Sequence, residues 1–226
     1  MYELLEKALD IHFQDPALLY LALTHRSYIY ETPGEGQSSN ERLEFLGDSI
    51  LAFVSTDFLY RTFPNLTEGE LTDVRAILVR TETLANFARE IQLGNFMLMG
   101  RGEQNSGGGK RVLASAFEAL LGAIYLDQGI AAVQRFLRQR LEPMAHNIVE
   151  KRLFKDNKSL FQELAQAHEG ITPSYRLAGQ EGPSHNREFT VEVMLGTQVV
   201  GRGHGRNKQT AEQEAAHAAL ASRGWL

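Results

Sequence analysis

The chain has 226 residues, of which 43% are apolar, and it contains no cysteine. This length and apolar content are typical of a soluble globular protein with one large domain or two modest ones. No apolar run approaches the ~18 residues that a membrane-spanning helix needs, and residues 1–6 lack the basic start and apolar stretch of a signal peptide. We therefore expect a cytoplasmic protein with no membrane partner. Without cysteine, any bound metal ion must be held by oxygen or imidazole ligands.

The formal net charge is −5, which argues against a protein that coats nucleic acid with bulk positive charge. The charge is unevenly distributed, because acidic and basic residues balance from Lys158 onward and the whole deficit lies upstream. A nucleic-acid partner is therefore allowed only through a local patch together with metal ions.

The first part of the chain is predicted to be helical. Two short helices occupy residues 3–30 and are broken near Pro16. A polar loop over residues 31–39 leads into a long helix that ends at about Phe63, before a proline. Two further helices are predicted between residues 67 and 91.

Within the long helix, a period of about 100° per residue separates two stripes. The apolar stripe contains Leu43, Leu46, Ile50 and Val54. The acidic stripe contains Glu41, Glu44 and Asp48. Taken alone, such an acidic stripe is most often a solvated helix face. Phe45 and Gly47 stand beside the acids, and an exposed aromatic and a helix-weakening glycine cost stability unless something packs closely there.

Residues 100–110 are glycine-dense but lack the spacing of a phosphate-binding loop, so we interpret them as a flexible connection. The next helix, predicted from Arg111 to Asp127, is so apolar that Glu118 within it needs a partner if it is buried. A cation shared with Glu44 and Asp48 would provide one.

A last helix of this part is predicted from residue 131 to about 150, with an interruption near Pro143. The charged stretch 151–157 reads as a linker. Beyond it, helices over 159–168 and 210–222 flank three strands, which are predicted over 174–177, 187–194 and 198–203. The fold class is therefore an all-α domain, residues 1–150, followed by a small α+β domain of order α-β-β-β-α, residues 158–226.

Asn40 to Ser49 read N-E-R-L-E-F-L-G-D-S and agree at all ten positions with the signature of the ribonuclease III family. Thr24 to Ser27 match the family's T-H-R-S, although a structural role at a helix end is favoured for His25. Three segments of the last domain resemble the contact regions of a double-stranded-RNA-binding domain. The resemblance covers nearly the whole chain and implies an endonuclease domain followed by such a binding domain.

This resemblance implies an endoribonuclease of rRNA and mRNA processing that hydrolyses double-stranded RNA and leaves 5′-phosphate and 3′-hydroxyl ends with short 3′ overhangs. It implies Mg²⁺ as the cofactor, for which Mn²⁺ may substitute, held by Glu44, Asp48 and Glu118, with Asp48 and Glu118 as the catalytic residues. Clustered carboxylates suit this chemistry because two Mg²⁺ ions can serve the attacking water, the phosphorane and the leaving oxygen. Glu41 and Glu68 match accessory acidic positions; the alternative for Glu68 is to stabilise a helix dipole.

The resemblance also implies two macromolecular partners. The first is double-stranded RNA, for which the matching residues are Gln162, Glu163, His185, Arg206, Asn207 and Lys208. The second is another copy of the chain, since the phenylalanine that matches Phe45 is a knob entering a socket of the other subunit in family members. The alternative for Phe45 is to fill the core of its own domain. Gly47 is expected to leave room for close approach by the second copy.

The chain departs from the family at two places. The pattern L-A-D-x-x-E has Ser115 where the aspartate stands, which leaves the metal site one negative charge short. A lysine pair is reduced to Lys208 alone, with Arg206 nearby as a substitute. Ser115 favours an alternative function, an RNA-binding protein with impaired or no cleavage. A third class, a helical interaction dimer, leaves the acidic residues and the last domain unexplained.

Overall fold

The computed structural model describes residues 2–32, 34, 38–105, 108–183 and 187–225. The chain divides into two compact units, Met1–Phe154 and Lys155–Leu226. Phe154 packs against the core of the first unit, and the first helix of the second unit already begins at Asn157, where Asp156 caps it. The predicted linker 151–157 is thus divided between the two units. No helix of the described residues is long and apolar enough to cross a membrane.

The first unit is helical, as predicted. Its α-helices are α1 Tyr2–Leu9, α2 Pro16–Leu23, α3 Arg26–Glu31, α4 Glu41–Thr62, α5 Glu68–Leu78, α6 Thr81–Glu90, α7 Arg101–Asn105, α8 Lys110–Gln128 and α9 Ile130–Glu150. A short 3₁₀ turn, Leu93–Asn95, lies between α6 and α7. The side chains of Asp15 and Thr67 accept hydrogen bonds from the first turns of α2 and α5, which explains where those two helices start.

Three local predictions are corrected. A separate helix, α3, follows α2 because the His25 side chain caps it. The segment read as a flexible connection contains α7. Helix α9 continues through Pro143, since a proline removes only one helical hydrogen bond and Leu141, Ala145 and Ile148 around it are buried.

Helix α8 is the centre of the first unit. Ten of its residues are buried, and Phe117 packs between Phe87 and Phe136 with ring centroids 5.8 Å from each. The apolar stripe predicted on α4 faces the core, because Leu43, Ile50 and Val54 are buried and Leu46 packs against them. Burial of this kind is the dominant favourable contribution to folding.

Two glycines let the backbones of α4 and α8 touch. A Cβ atom at Gly47 would lie 1.8 Å from the carbonyl oxygen of Glu118, and one at Gly122 would lie 2.4 Å from the carbonyl oxygen of Leu43. Each glycine therefore lacks a side chain at a point where the other helix passes. The two points of contact are about one helical turn apart, both on α4 and on α8. The expectation that Gly47 leaves room for a second copy is wrong, because α8 of the same chain fills that space.

The second unit has the predicted order α-β-β-β-α. Its elements are α10 Asn157–Glu169, β1 Ser174–Glu181, β2 Glu188–Leu195, β3 Gln198–Gly205 and α11 Lys208–Ser222. The strands form an antiparallel sheet in the order β1-β2-β3. Val191, Val193 and Leu195 alternate along β2 and are buried in the core that α10 and α11 share with the sheet.

Strand β3 lies directly against α11. Cβ atoms at Gly201, Gly203 and Gly205 would lie 2.1 to 2.6 Å from backbone atoms of Ala211 or Ala215. The two-residue period of the strand therefore matches a stripe of small residues on the helix. This contact fixes where α11 begins, and with it the position of Lys208 at its first turn.

We predict that Gly47→Ala destabilises the first unit. The added methyl group must displace the Glu118 carbonyl, and overpacking of this kind typically costs about 1–3 kcal/mol. The measurement is the free energy of unfolding in denaturant. The matched control is Gly69→Ala in α5, because nothing lies within 4 Å of its Cβ position and alanine favours a helix. Equal stability of the two variants would contradict the packing account.

Candidate active site

Three carboxylates from two helices meet at the α4–α8 contact. Glu44 and Asp48 lie one turn apart on α4, and Gly47 between them touches the backbone of Glu118 on α8. Glu44 and Glu118 are half-buried, whereas Asp48 is exposed. The structure therefore brings together the three residues that the sequence singled out.

The electrostatics of the cluster depend on how close these carboxylates are. Burial, and after it the negative charges of Asp48 and Glu44, together raise the pKa of Glu118 to about 7. A carboxylate whose neighbours are two other carboxylates is poorly stabilised as an anion without a cation.

The donor set fits a hard divalent cation, since carboxylate oxygens are the ligands that Mg²⁺ and Mn²⁺ prefer. Across the described residues, no three His, Asp or Glu side chains already converge tightly enough to enclose an ion.

Ser115 lies one turn before Glu118 on α8 and lines a hollow of about 390 Å³ beside Glu44. The other residues of this hollow are His25, Arg26, Asn40, Glu41, Glu103, Arg111 and Val112. We call it the Ser115 hollow. The serine is therefore placed at the cluster, where its hydroxyl can form hydrogen bonds but carries no charge.

Hydrogen bonds hold two polar residues of the hollow, Asn40 and His25, in place. Asn40 is buried, and its amide nitrogen donates to the Ala22 carbonyl at 3.0 Å while its backbone N–H donates to the Thr24 carbonyl at 2.9 Å. The His25 side chain accepts from the Ser27 N–H at the start of α3, which is the structural role expected for it. These bonds fix the start of α4 and hence Glu44.

The two accessory acids lie in different places. Glu41 lines the Ser115 hollow, accepts a hydrogen bond from Ser39 at 2.7 Å and lies 3.7 Å from Arg26. Glu68 lies in the first turn of α5, where Thr72 donates to it at 3.3 Å, and it lines a separate groove. Within one chain the structure does not bring Glu68 to the three carboxylates.

The RNA-binding residues expected in the second unit fall on two helices. Gln162 and Glu163 are exposed on α10, and Glu163 forms an ion pair with Lys155. Asn207 caps α11 by accepting from the Thr210 N–H at 2.8 Å. Arg206 and Lys208 are exposed on either side of Asn207. His185 lies outside the described residues.

The starts of α10 and α11 are held together. Asn157 donates to the Gln213 carbonyl at 3.2 Å, Gln213 donates to Asp156 at 2.8 Å, and Lys158 pairs with Glu212 at 2.6 Å. Because both helices are tied at this end, the side chains on α10 and those at the start of α11 keep a fixed spacing, which a rigid duplex requires.

Two groups of charged residues were not predicted from the sequence. Glu103 and Arg111 line the Ser115 hollow, although nothing in their local sequence sets them apart. Glu192 is buried on β2, where Arg176 of β1 and Arg202 of β3 both pair with it across the sheet. The second group had a signal, because Glu192 interrupts the apolar half of β2 and a buried acid needs cationic partners.

The first unit is helical and carries clustered carboxylates. The second unit has the order α-β-β-β-α, and hydrogen bonds hold the starts of its two helices together. This combination is that of a nuclease that carries a double-stranded-RNA-binding module. Comparison with known proteins supports this class. Residues 15–144 match the family model described as ribonuclease-III-like, and residues 157–222 match the double-stranded RNA binding motif. The chain belongs to the ribonuclease III family.

Relatives cover almost the entire chain. A protein named ribonuclease 3 from Pelotomaculum thermopropionicum is 45% identical over 219 residues, which are 96% of this chain and 91% of the relative. Another from Caldanaerobacter subterraneus is 42% identical over 228 residues and covers all of both chains. The solved nuclease domain of ribonuclease III from Campylobacter jejuni is 36% identical with a TM-score of 0.58, over 63% of this chain and 97% of that one.

These matches establish the activity. The chain is a ribonuclease III-type endoribonuclease that acts on double-stranded RNA, and its family consists of nucleases that need a divalent metal ion. The alternative of a binding protein without cleavage gains no support from the relatives.

We predict a pH dependence of stability in the metal-free protein. Folded Glu118 holds a proton up to about pH 7, whereas the unfolded chain releases it near 4.5, so the native state binds more protons between these values. Stability should therefore fall as pH rises through this window. Denaturant titrations in chelator at several pH values measure it, and Glu118→Gln should remove the decline. If stability declined identically in Glu118→Gln, the pH dependence would belong to other titratable groups.

Proposed function

We propose that Glu44, Asp48 and Glu118 form the centre that hydrolyses the RNA backbone, with Mg²⁺ as its cofactor and Mn²⁺ as a substitute. The observation that carries this proposal is the backbone contact at Gly47, which puts carboxylates of α4 beside Glu118 of α8. Asp48 and Glu118 are the catalytic residues, and Glu44 shares in holding the metal.

The chemistry needs clustered negative charge on the protein. When bound, divalent cations supply activation of the attacking water, charge neutralisation at the phosphorus and stabilisation of the leaving 3′ oxygen. The half-buried position of Glu44 and Glu118 limits competition by bulk water, and exposed Asp48 leaves the cluster open to a duplex. The products expected of this reaction are 5′-phosphate and 3′-hydroxyl ends.

We further propose that the second unit, Lys155–Leu226, acts as the RNA-binding domain and the first unit, Met1–Phe154, as the nuclease domain. A-form RNA is recognised by shape, phosphates and 2′-hydroxyls across its minor groove. Gln162 and Glu163 on α10 would contact the groove, and Arg206 and Lys208 at the start of α11 would contact phosphates. Asn207 contributes by fixing that helix start, and His185 is proposed as a groove contact from its sequence alone.

A homodimer is the third part of the proposal. An outer face of α4 carries Phe45, Ser49, Ala52, Thr56 and Tyr60, which lie within about 80° of one another at helical spacing. All five are exposed, with Phe45 at 79% and Tyr60 at 73%. Exposed aromatics aligned on one helix face are typical of an interface.

The same face offers a place for the knob. A groove of about 380 Å³ is lined by Thr56, Tyr60, Leu66, Leu71 and neighbouring residues of α4 and α5. An antiparallel pairing of two α4 helices about Ala52 and Phe53 puts Phe45 of each opposite Tyr60 of the other, seven to eight residues from the centre on either side.

This pairing accounts for two features. Glu68 lines the same groove, so it would lie near the other copy's Phe45 and hence near its acidic stripe. Two symmetry-related carboxylate clusters would serve the two strands of one duplex. The Campylobacter jejuni structure is described as flexible in a region involved in dimer formation of its nuclease domain, which supports the proposal.

We also propose that the enzyme acts in the cytoplasm, because bacterial cells such as those of its relatives make their RNA there.

Glu118→Gln should abolish cleavage of a labelled RNA duplex in Mg²⁺ while duplex binding survives, because the change removes charge and keeps shape. Single-turnover assays and gel mobility measure the two properties. Glu142→Gln, which removes a negative charge that is paired with Arg138 on α9, is the control. Ser115→Asp should increase the affinity for Mg²⁺ by restoring a fourth carboxylate. Full turnover in Glu118→Gln would contradict the assignment of Glu118 as a catalytic residue.

Lys208→Ala should weaken duplex binding and lower the slope of log K against log salt by about 1, since it removes one phosphate contact. Titrations at four salt concentrations measure this slope. Lys7→Ala removes the same charge from α1 and should leave the slope unchanged. An unaltered slope in Lys208→Ala would exclude this lysine from the RNA contact.

Phe45→Ala should lower the affinity between two copies by about 2–4 kcal/mol if it is a central anchor. Sedimentation over a concentration series gives the dimer constant, and Tyr30→Ala, an equally exposed aromatic outside α4, is the control. A monomeric wild-type protein at micromolar concentration would refute the dimer. An unchanged dimer in Phe45→Ala would refute only the knob.

A further inference from the structure

One glutamine of α11 is bonded to three consecutive residues at the start of α10. The side-chain amide of Gln213 donates from Nε2 to Asp156 Oδ1 at 2.8 Å, and its Oε1 accepts from the Lys158 N–H at 3.3 Å. The backbone carbonyl of Gln213 accepts from Asn157 Nδ2 at 3.2 Å. We call these three bonds the Gln213 clamp. They join segments of the chain that are 55 to 57 residues apart.

The type of side chain suits this position. An amide both donates and accepts, whereas a carboxylate only accepts and an ammonium group only donates. Because one bond goes to a carboxylate and the other comes from an N–H, only one orientation of the Gln213 amide satisfies both. Asp156 also caps α10 by accepting from the Lys158 and Ser159 N–H groups at 3.0 and 3.1 Å. The clamp therefore holds α11 against the first turn of α10 itself.

Charged groups strengthen the clamp. Burial raises the pKa of Asp156, but hydrogen bonds, first among them that from Gln213, lower it below its usual value, so the bond from Gln213 is charge-assisted. Lys158 Nζ pairs with Glu212 at 2.6 Å and lies 4.8 Å from the centre of the Tyr175 ring. Both members of this ion pair are partly buried, so salt screens their attraction less than it screens a surface pair.

The clamp lies between the side chains that are proposed to contact RNA. Gln162 follows Lys158 by four residues on α10, and Gln213 follows Lys208 by five residues on α11. At 1.5 Å per residue, each contact lies within about 8 Å of the clamp along its helix. The clamp thus sets the distance between a groove contact on α10 and a phosphate contact on α11.

This distance discriminates between shapes of duplex. The minor groove of A-form RNA is wide and shallow, whereas that of B-form DNA is narrow. Two contacts at a fixed distance can both form on only one of these shapes, whereas contacts at a variable distance adjust to either. A fixed distance also avoids the conformational entropy that is lost when contacts become ordered on binding.

We infer that Gln213 is a specificity-determining residue, which holds the groove contact of α10 and the phosphate contact of α11 at the distance that A-form RNA requires and so favours RNA over DNA. Gln213 acts through Gln162 and Lys208 and is therefore a positioning residue. The inference rests on the proposed function of these two side chains in RNA binding.

Duplex binding by the full-length protein tests the inference. RNA and DNA duplexes of one sequence are titrated in chelator, so that no cleavage occurs. Gln213→Met keeps the length of the side chain and removes its two hydrogen bonds. It should weaken RNA binding about 2- to 10-fold, the cost of ordering a side chain on binding, and leave DNA binding almost unchanged. The dependence on salt should stay the same, because Lys208 is retained.

The distance between the two helices can be measured directly. Because the chain contains no cysteine, cysteines introduced at Ala167 of α10 and Gln209 of α11, both exposed, are the only sites for spin labels. Gln213→Met should broaden the distribution of distances between the labels. The matched control is Gln198→Met at the exposed start of β3, which should change neither this distribution nor the ratio of RNA to DNA affinity.

Two further variants at the same position complete the test. Gln213→Glu faces Asp156 with a like charge, and Gln213→Asn keeps the amide but is too short to reach both partners. Both should lower the ratio of RNA to DNA affinity as Gln213→Met does. Trp225 is the only tryptophan, and its ring centroid lies 6.0 Å from that of Phe161 in the core of the second unit, so its emission shows which variants are folded.

Three outcomes in folded variants would overturn the inference. The first is an unchanged RNA affinity in Gln213→Met. The second is an equal loss of RNA and DNA binding, which would assign the effect to general stability. The third is an unchanged distribution of distances between the labels. Lys208→Ala separates these results from the fate of the proposed function: if it left RNA affinity unchanged, the phosphate contact itself would fail, whereas a loss in Lys208→Ala without a loss in Gln213→Met would overturn Gln213 alone.

Discussion

The backbone contact between α4 and α8 is the constraint on which the site depends. Gly47 and Gly122 each omit a side chain where the other helix passes, so the two helices approach more closely than ordinary residues permit. Glu44, Asp48 and Glu118 lie within one turn of this contact and inherit its geometry. Burial and the neighbouring charges of Asp48 and Glu44 raise the pKa of Glu118, and the packing of the surrounding apolar residues holds this side chain in place.

Glycines also allow two backbones to approach closely in the second unit, where they help to position a basic side chain. Alternate glycines of β3 lie against small residues of α11, and the fixed start of that helix carries Lys208. With a chain of net charge −5, the contact with RNA must come from such locally placed cations rather than from the average charge. Rigid packing thus positions acidic groups in one unit and basic groups in the other.

Periodicity was sufficient to predict the long elements. The apolar stripe of α4 and the alternation of Val191 and Val193 follow from the period of a helix and of a strand, and both are buried as expected. The acidic stripe was equally visible. Its convergence with Glu118 was an inference from the need of a buried acid for a partner, and the structure brings the three residues to one place.

The features that could not be predicted from the sequence depend on contacts between residues that are distant in the chain. Helices α3 and α7 have six and five residues, too few to show a period, and they form because His25, Ser27 and Glu31 provide hydrogen bonds. A glycine at position 47 indicates that another element approaches closely, but not which one. The neighbour was predicted to be a second copy of the chain, whereas it is α8 of the same chain. Glu103 reaches the Ser115 hollow through bonds between residues about 70 positions apart, which no local pattern records.

The central claim is that the α4–α8 contact creates the metal centre. The most direct test is a crystal structure of the protein with Mn²⁺, in which anomalous scattering locates the ion. We predict a peak bounded by the carboxylates of Glu44, Asp48 and Glu118. Saturating Mn²⁺ with no peak between these helices, or with peaks only elsewhere, would contradict it.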